Sequence, residues 1–158
     1  MVEKDILKEL LFFRDLSDPV IDKIGSIATL ETLDKDTIVF EQNQNLTHLY
    51  MVVSGKVHFT VKSASGKALV LDKICEGRTF GVSALMEESS SAYTAICAEK
   101  TIVVSISGKQ MHQLFEDDFK LGHILMLKVV RLFKKRMEMH TRQFLLSLAT
   151  HSEIKSLQ

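Results

Sequence analysis

Side chains able to do chemistry are few in this sequence, and their spacing says more than their number. Two adjacent carboxylate pairs, Glu87-Glu88 and Asp117-Asp118, diverge too sharply along the chain to share one substrate bond, and they read as a turn and a helix cap. There is no Gly-x-Ser-x-Gly elbow, no Walker loop and no His-Glu-x-x-His pair to supply a nucleophile, a phosphate cradle or a catalytic metal. Hydroxyls are better represented: Ser83, Ser89, Ser90, Ser91 and Thr94 could donate to an anion, although such a run also reads as a solvated surface loop. The expected class is a binding module rather than an enzyme.

Composition narrows the class further. A length of 158 residues, 46% hydrophobic and 25% charged, suits one soluble domain that buries about 70% of its unfolded surface, and it excludes disorder and collagen-like structure. Cys75 and Cys97 form no Cys-x-x-Cys pair and no disulfide framework, which fits a reducing cytoplasm. The first residues carry Glu3, Asp5 and Glu9 where an export signal would be basic and then apolar, and no apolar run reaches membrane-spanning length. The expected location is cytoplasmic, away from membranes. Twenty Lys and Arg balance twenty Asp and Glu, so no whole-chain field draws the protein to nucleic acid.

The elements that must position any site follow from periodicity. Ile6, Leu7, Leu10 and Leu11 recur at helical spacing, and a second helix begins at Ser17 or Asp18 with Pro19 in its first turn and runs to about Ala28. From 37 to 106 the pattern is that of strands, at 37–40, 48–53, 56–62, 68–74, 93–98 and 101–106. Gly55, Gly66 and Gly77 punctuate them at intervals of eleven, with Ser54-Gly55 and Ser65-Gly66 as tight turns. Ser107 to Gln110 has capping-box spacing for a short helix through Phe115. A helix of roughly thirty residues follows from Asp117 or Asp118 to Ala149. Along it Met126, Val130, Phe133, Met137, His140, Phe144 and Ser147 step 4-3-4-3-4-3, beside a second apolar row of Leu121, Leu125, Val129 and Leu132. That seam predicts a parallel homodimer. Residues 124–148 set six cations against Glu138 alone, a net charge of +5, and a DNA-contact role for that face stays open. Thr150 to Glu153 repeats capping-box spacing, which reads equally as a frayed tail or as the start of a following domain.

Two helices, a strand-rich roll, a short helix and a long one resemble the sensor half of the bacterial Crp/Fnr family over about residues 10–150. The most specific stretch, Gly77-Arg78-Thr79-Phe80-Gly81-Val82-Ser83-Ala84-Leu85-Met86, is similar to the phosphate-binding cassette of cyclic-nucleotide-binding domains. The family pattern there is Phe-Gly-Glu-x-Ala-Leu and then Pro-Arg-Ala-Ala, in which glycine admits a close backbone approach and arginine neutralises the cyclic phosphate. The resemblance implies a mainly β jelly-roll sensor barrel, with helices, over residues 1–116, a dimerisation helix over 117–149, and at 150–158 the start of a DNA-binding domain. It also implies a ligand pocket of Phe59 and Leu71 from the strands, Gly81, Val82, Ser83 and Ala84 from the cassette, and Ser91 and Ala92 beyond it. From the long helix it adds Arg136, His140 and Thr141.

Both polar anchors of that pattern are replaced, since Val82 stands where the ribose-gripping glutamate belongs and Ser90-Ser91 where Pro-Arg belongs. A buried phosphate without its charge partner loses about 3–5 kcal/mol, which argues against tight binding of cyclic AMP or cyclic GMP. The resemblance also argues against iron–sulfur sensing, since the family's cluster-binding members place several cysteines near the N-terminus and this chain has none before Cys75. Haem stays open, with His140, Met137, Met86, Cys75, Cys97 and His58 as candidate axial ligands, each of which also has a structural role to fill. The expected function is the effector-sensing and dimerisation region of a transcription regulator that answers an unidentified small molecule. Its alternatives are a haem-based sensor of NO or CO, a stand-alone interaction module, and a weak cyclic-nucleotide receptor using serine hydroxyls. DNA would be touched only by a domain outside this chain.

Overall fold

A computed structural model describes residues 1–87 and 90–150, and it divides into two compact units, Met1–Gly122 and His123–Gln158. The expected capping box at 150–153 lies, from His151 onward, outside the described residues.

The first unit opens with helix α1 (Lys4–Glu9) and helix α2 (Asp18–Ile27). Asp15, in the left-handed conformation with φ 72°, separates them, and Pro19 occupies the first turn of α2 as its missing N–H allows. Lys4 and Lys8 bridge the two helices through Asp22 at 3.0 Å and Asp18 at 2.6 Å. The Lys8 hydrogen bond, with the charge of Lys4, holds the Asp18 carboxyl below its ordinary pKa. Ser17 makes no side-chain capping bond.

Eight strands follow among the described residues: β1 (Ala28–Leu33), β2 (Ile38–Phe40), β3 (His48–Ser54), β4 (Val57–Lys62), β5 (Ala68–Ile74), β6 (Thr79–Phe80), β7 (Thr94–Cys97) and β8 (Thr101–Ser107). They build two four-stranded antiparallel sheets, in the orders β1-β8-β3-β6 and β2-β7-β4-β5. The mainly β jelly-roll is as expected, but the sheets do not close into the expected barrel. They stack as a sandwich, because β1 and β6 end one sheet and β2 and β5 end the other. Gly55, Gly66 and Gly77 all take positive φ, at 93°, 80° and 78°, which is why the turns between strands carry glycine there.

The core lies between the sheets. Phe40, Val52, Val57, Phe59, Ile74, Phe80, Ala95, Cys97 and Val103 are its buried members, with Tyr50 and Tyr93 packed against it half-buried. Each arises from the inward side of a strand, as the period of two requires.

Helix α3 (Gly108–Asp117) follows β8 directly. The capping box expected at its start is not formed, since Ser107 makes no side-chain capping bond. The long helix α4 (Phe119–Ala149) has 31 residues and starts where a carboxylate was expected to cap it. Asp118 Oδ1 accepts the Leu121 N–H at 3.0 Å, and the Asp118 carbonyl accepts Gly122 N–H. In the second unit this helix exposes Val130, Phe133, Met137 and Phe144. None of the helices among the described residues is long and apolar enough to cross a membrane.

Candidate functional site

The segment singled out by its glycines is built by one strand and one turn. β6 pairs with β3, setting Phe80 opposite Tyr50 and Thr79 opposite Met51, and Val52 N–H reaches the Arg78 carbonyl at 3.0 Å. Gly81 then turns left-handed with φ 71°. A Cβ at Gly81 would stand 3.0 Å from the His48 carbonyl and 3.2 Å from the Tyr50 ring, so both space and dihedral demand glycine. A single 3-10 turn, Val82–Leu85, follows, with Ala84 N–H on the Gly81 carbonyl and Met86 N–H on Ser83.

Two neighbours hold that turn in place. Gly108, the first residue of α3, lies so close to it that a Cβ would stand 2.1 Å from the Ala84 carbonyl oxygen. His112, one turn further along α3, has Nε2 2.8 Å from the Leu85 carbonyl. Sequence reasoning missed both residues, because neither lies in the cassette and the contact is made by folding.

The anchor positions carry no charge. Val82 is 2% exposed and apolar. Ser91 is buried, and its hydroxyl is used locally, donating to the Tyr93 carbonyl at 2.5 Å and accepting the Tyr93 N–H at 3.2 Å. Its backbone is also engaged, with Asn43 N–H at 2.7 Å and the Gln44 carbonyl at 2.9 Å. Ala92 beside it is exposed, as are Met86 and Ser90, whereas Ser83 and Ala84 are half-buried.

Aromatic rings fill the interior behind the cassette. Phe59 stacks on Tyr93 with centroids 4.0 Å apart and meets Phe80 edge-on, while Tyr50 stacks on Phe80 at 5.2 Å. Burial and the charge of Glu31 push the Tyr50 phenol above its ordinary pKa. Phe59 is a buried member of the core inside the roll. On β5 the register places Asp72 opposite Phe59 and Val70 opposite Thr60, so Leu71 is the extra residue of a bulge and is 38% exposed. The buried residue beside Phe59 is Asp72, which sequence reasoning passed over.

The candidate metal ligands scatter. His58 precedes Phe59 on β4 and so faces the other side of the sheet. Cys97 is a fully buried core member whose thiol is pushed up by burial, and Cys75 is exposed. Among the described residues no three His, Cys, Asp or Glu side chains group as a metal site. Arg136, His140 and Thr141 belong to α4 in the second unit, where His140 and Thr141 are exposed, together with Met137.

Comparison with known proteins agrees with this geometry. The family model described as cyclic nucleotide-binding domain matches residues 30–118. The potassium channel KAT1 of Oryza sativa subsp. japonica is 26% identical over 131 residues, covering 83% of this chain and 18% of the channel. The cAMP-activated global transcriptional regulator CRP of Haemophilus influenzae is 25% identical over 115 residues, 72% of this chain and 51% of the regulator. The chain thus spans about half of the regulator's length and under a fifth of the channel's. A crystal structure of a cyclic nucleotide-binding domain from Methylobacillus flagellatus superposes with a TM-score of 0.79 at 15% identity, covering 90% of this chain and 80% of that one. With more than half of its length matched by one family model, the chain belongs to the cyclic nucleotide-binding domains of the Crp/Fnr type.

Proposed function

We propose that this chain is the effector-sensing and dimerisation region of a transcription regulator, and that its effector is not a cyclic nucleotide. One observation carries the reading: the cassette turn is formed, while the positions that would hold the ribose and the cyclic phosphate are the buried, apolar Val82 and a Ser91 hydroxyl already engaged by Tyr93. A phosphate seated there would lose its water without gaining a cation. The resemblance to a transcriptional regulator and the long α4 support the rest of the reading. In it, α4 joins two copies and DNA is contacted by a separate domain.

Calorimetric titration tests the central claim. At about 1 mM cyclic AMP or cyclic GMP the expected result is no heat beyond dilution, and a micromolar dissociation constant for either overturns the reading. The haem alternative, with His140, Met137, Met86 and Cys75 as ligand candidates, is tested by absorption during titration with ferric haem. A narrow, saturable Soret band at one haem per chain that shifts with carbon monoxide would replace the small-molecule reading. A broad band without saturation removes haem.

A further inference from the structure

We infer that Asp72 is an effector-binding residue, and that the effector presents a positively charged nitrogen on an apolar body. The inference rests on the reading of the cassette as a site for something other than a nucleotide. Asp72 is 9% exposed and lies on the inward side of β5, two residues from the core Ile74 and directly opposite the core Phe59. One carboxylate oxygen, Oδ1, accepts the Lys73 N–H at 2.8 Å. The other, Oδ2, is buried and has no hydrogen-bond partner among the described residues.

A carboxylate taken out of water without a partner is strongly unfavourable, and folds that retain one pair it with a cation or a donor. The surroundings select which kind. Phe59 is the cross-strand partner of Asp72 and is itself stacked on Tyr93, so the register sets the carboxylate next to an aromatic pair, and ring faces attract cations as a carboxylate does. The two positions that would welcome an anion carry Val82 and an engaged Ser91, so the polarity of the site is reversed relative to one built for phosphate. Lys73, next to Asp72, falls on the opposite face of β5 by alternation and does not neutralise it from within.

A matched pair of probes tests this on the full chain: phenethylamine, a ring with an ammonium, and 3-phenylpropionate, a similar ring with a carboxylate. Titration calorimetry and thermal shift are run on the wild type, Asp72→Asn and Asp72→Leu. The ammonium probe is expected to bind the wild type and the carboxylate probe to bind at least about tenfold more weakly, the cost of a lost charged hydrogen bond. Asp72→Asn, which keeps the shape, is expected to weaken the ammonium probe by a similar factor. Asp72→Leu is expected to raise the melting temperature of the unliganded chain, which a merely structural Asp72 would not do. Failure of the ammonium probe to bind at about 10 mM, or its equal binding to Asp72→Asn, overturns the assignment. Tighter binding of 3-phenylpropionate overturns it too, yet leaves the site a non-nucleotide one. Micromolar binding of cyclic AMP defeats the underlying reading instead, whatever the amine does.

Discussion

At the scale of single residues, exposure and charge give the two cysteines and His58 distinct behaviour. Cys97 has no exposed surface, and burial raises its thiol pKa despite an opposing hydrogen bond with Thr101, whereas Cys75 lies exposed after β5. One thiol per chain is therefore expected to react quickly with a disulfide reagent, and the second only after denaturant is added. Two fast equivalents in the native protein would contradict the buried placement. His58 answers to pH. Burial, then the neighbouring Lys73 and Lys56, lower its pKa from the ordinary 6.5, with Glu99 opposing. The unfolded chain thus binds the proton more readily than the folded one. The stability this contributes is complete above the unfolded value and declines as pH falls through the lowered one. His58→Gln is expected to lose less melting temperature than the wild type between pH 7 and pH 5, and identical losses would show that the ring is solvated in both states.

At the scale of elements, the cassette turn depends on contacts from outside itself. Gly108→Ala places a methyl well inside contact distance of the Ala84 carbonyl oxygen, so α3 or the turn has to move, at an expected cost of roughly 1–3 kcal/mol. Denaturant unfolding measures it, and a variant as stable as the wild type would show that α3 shifts freely from the turn. The same dependence explains what could be read from the sequence. Six strands, the glycine turns and the Asp118 start of α4 were legible because each is written in local alternation, dihedral demand or capping chemistry. β1 was not, because Ala28–Leu33 is an edge strand with a mostly exposed face, and its conformation comes from pairing with β8 from Ala28 opposite Ile106 to Leu33 opposite Thr101. β6 is two buried residues long, too short to show any alternation, and takes its conformation from pairing with β3. The cassette stretch from Gly77 to Met86 was legible, but Gly108 and His112 reach its turn only through a helix contact, and Asp72 comes opposite Phe59 only through a β-bulge, neither of which any spacing in the sequence announces.

At the scale of the whole molecule, the question is what the apolar seam of α4 faces. Val130, Met137 and Phe144 are 60%, 65% and 60% exposed, spaced at seven residues, and Phe133 between them is 39% exposed. A stripe of this kind on a helix is a site for a like stripe, and in the proposed dimer a second copy of the chain supplies one. The association has a built-in opponent, because residues 124–148 carry a net charge of +5 and parallel pairing brings two such segments together. Salt screens that repulsion while leaving apolar burial intact or strengthened, so the dimer is expected to tighten as ionic strength rises. Sedimentation equilibrium at low and high salt measures this directly. Val130→Glu with Met137→Glu places carboxylates in the seam and is expected to weaken the dimer by about 3 kcal/mol or more, roughly two powers of ten in dissociation constant. A wild type that stays monomeric at high protein concentration would rule out the seam as an interface. A dimer that loosens with salt and tolerates both glutamates would place the contact on a polar surface elsewhere.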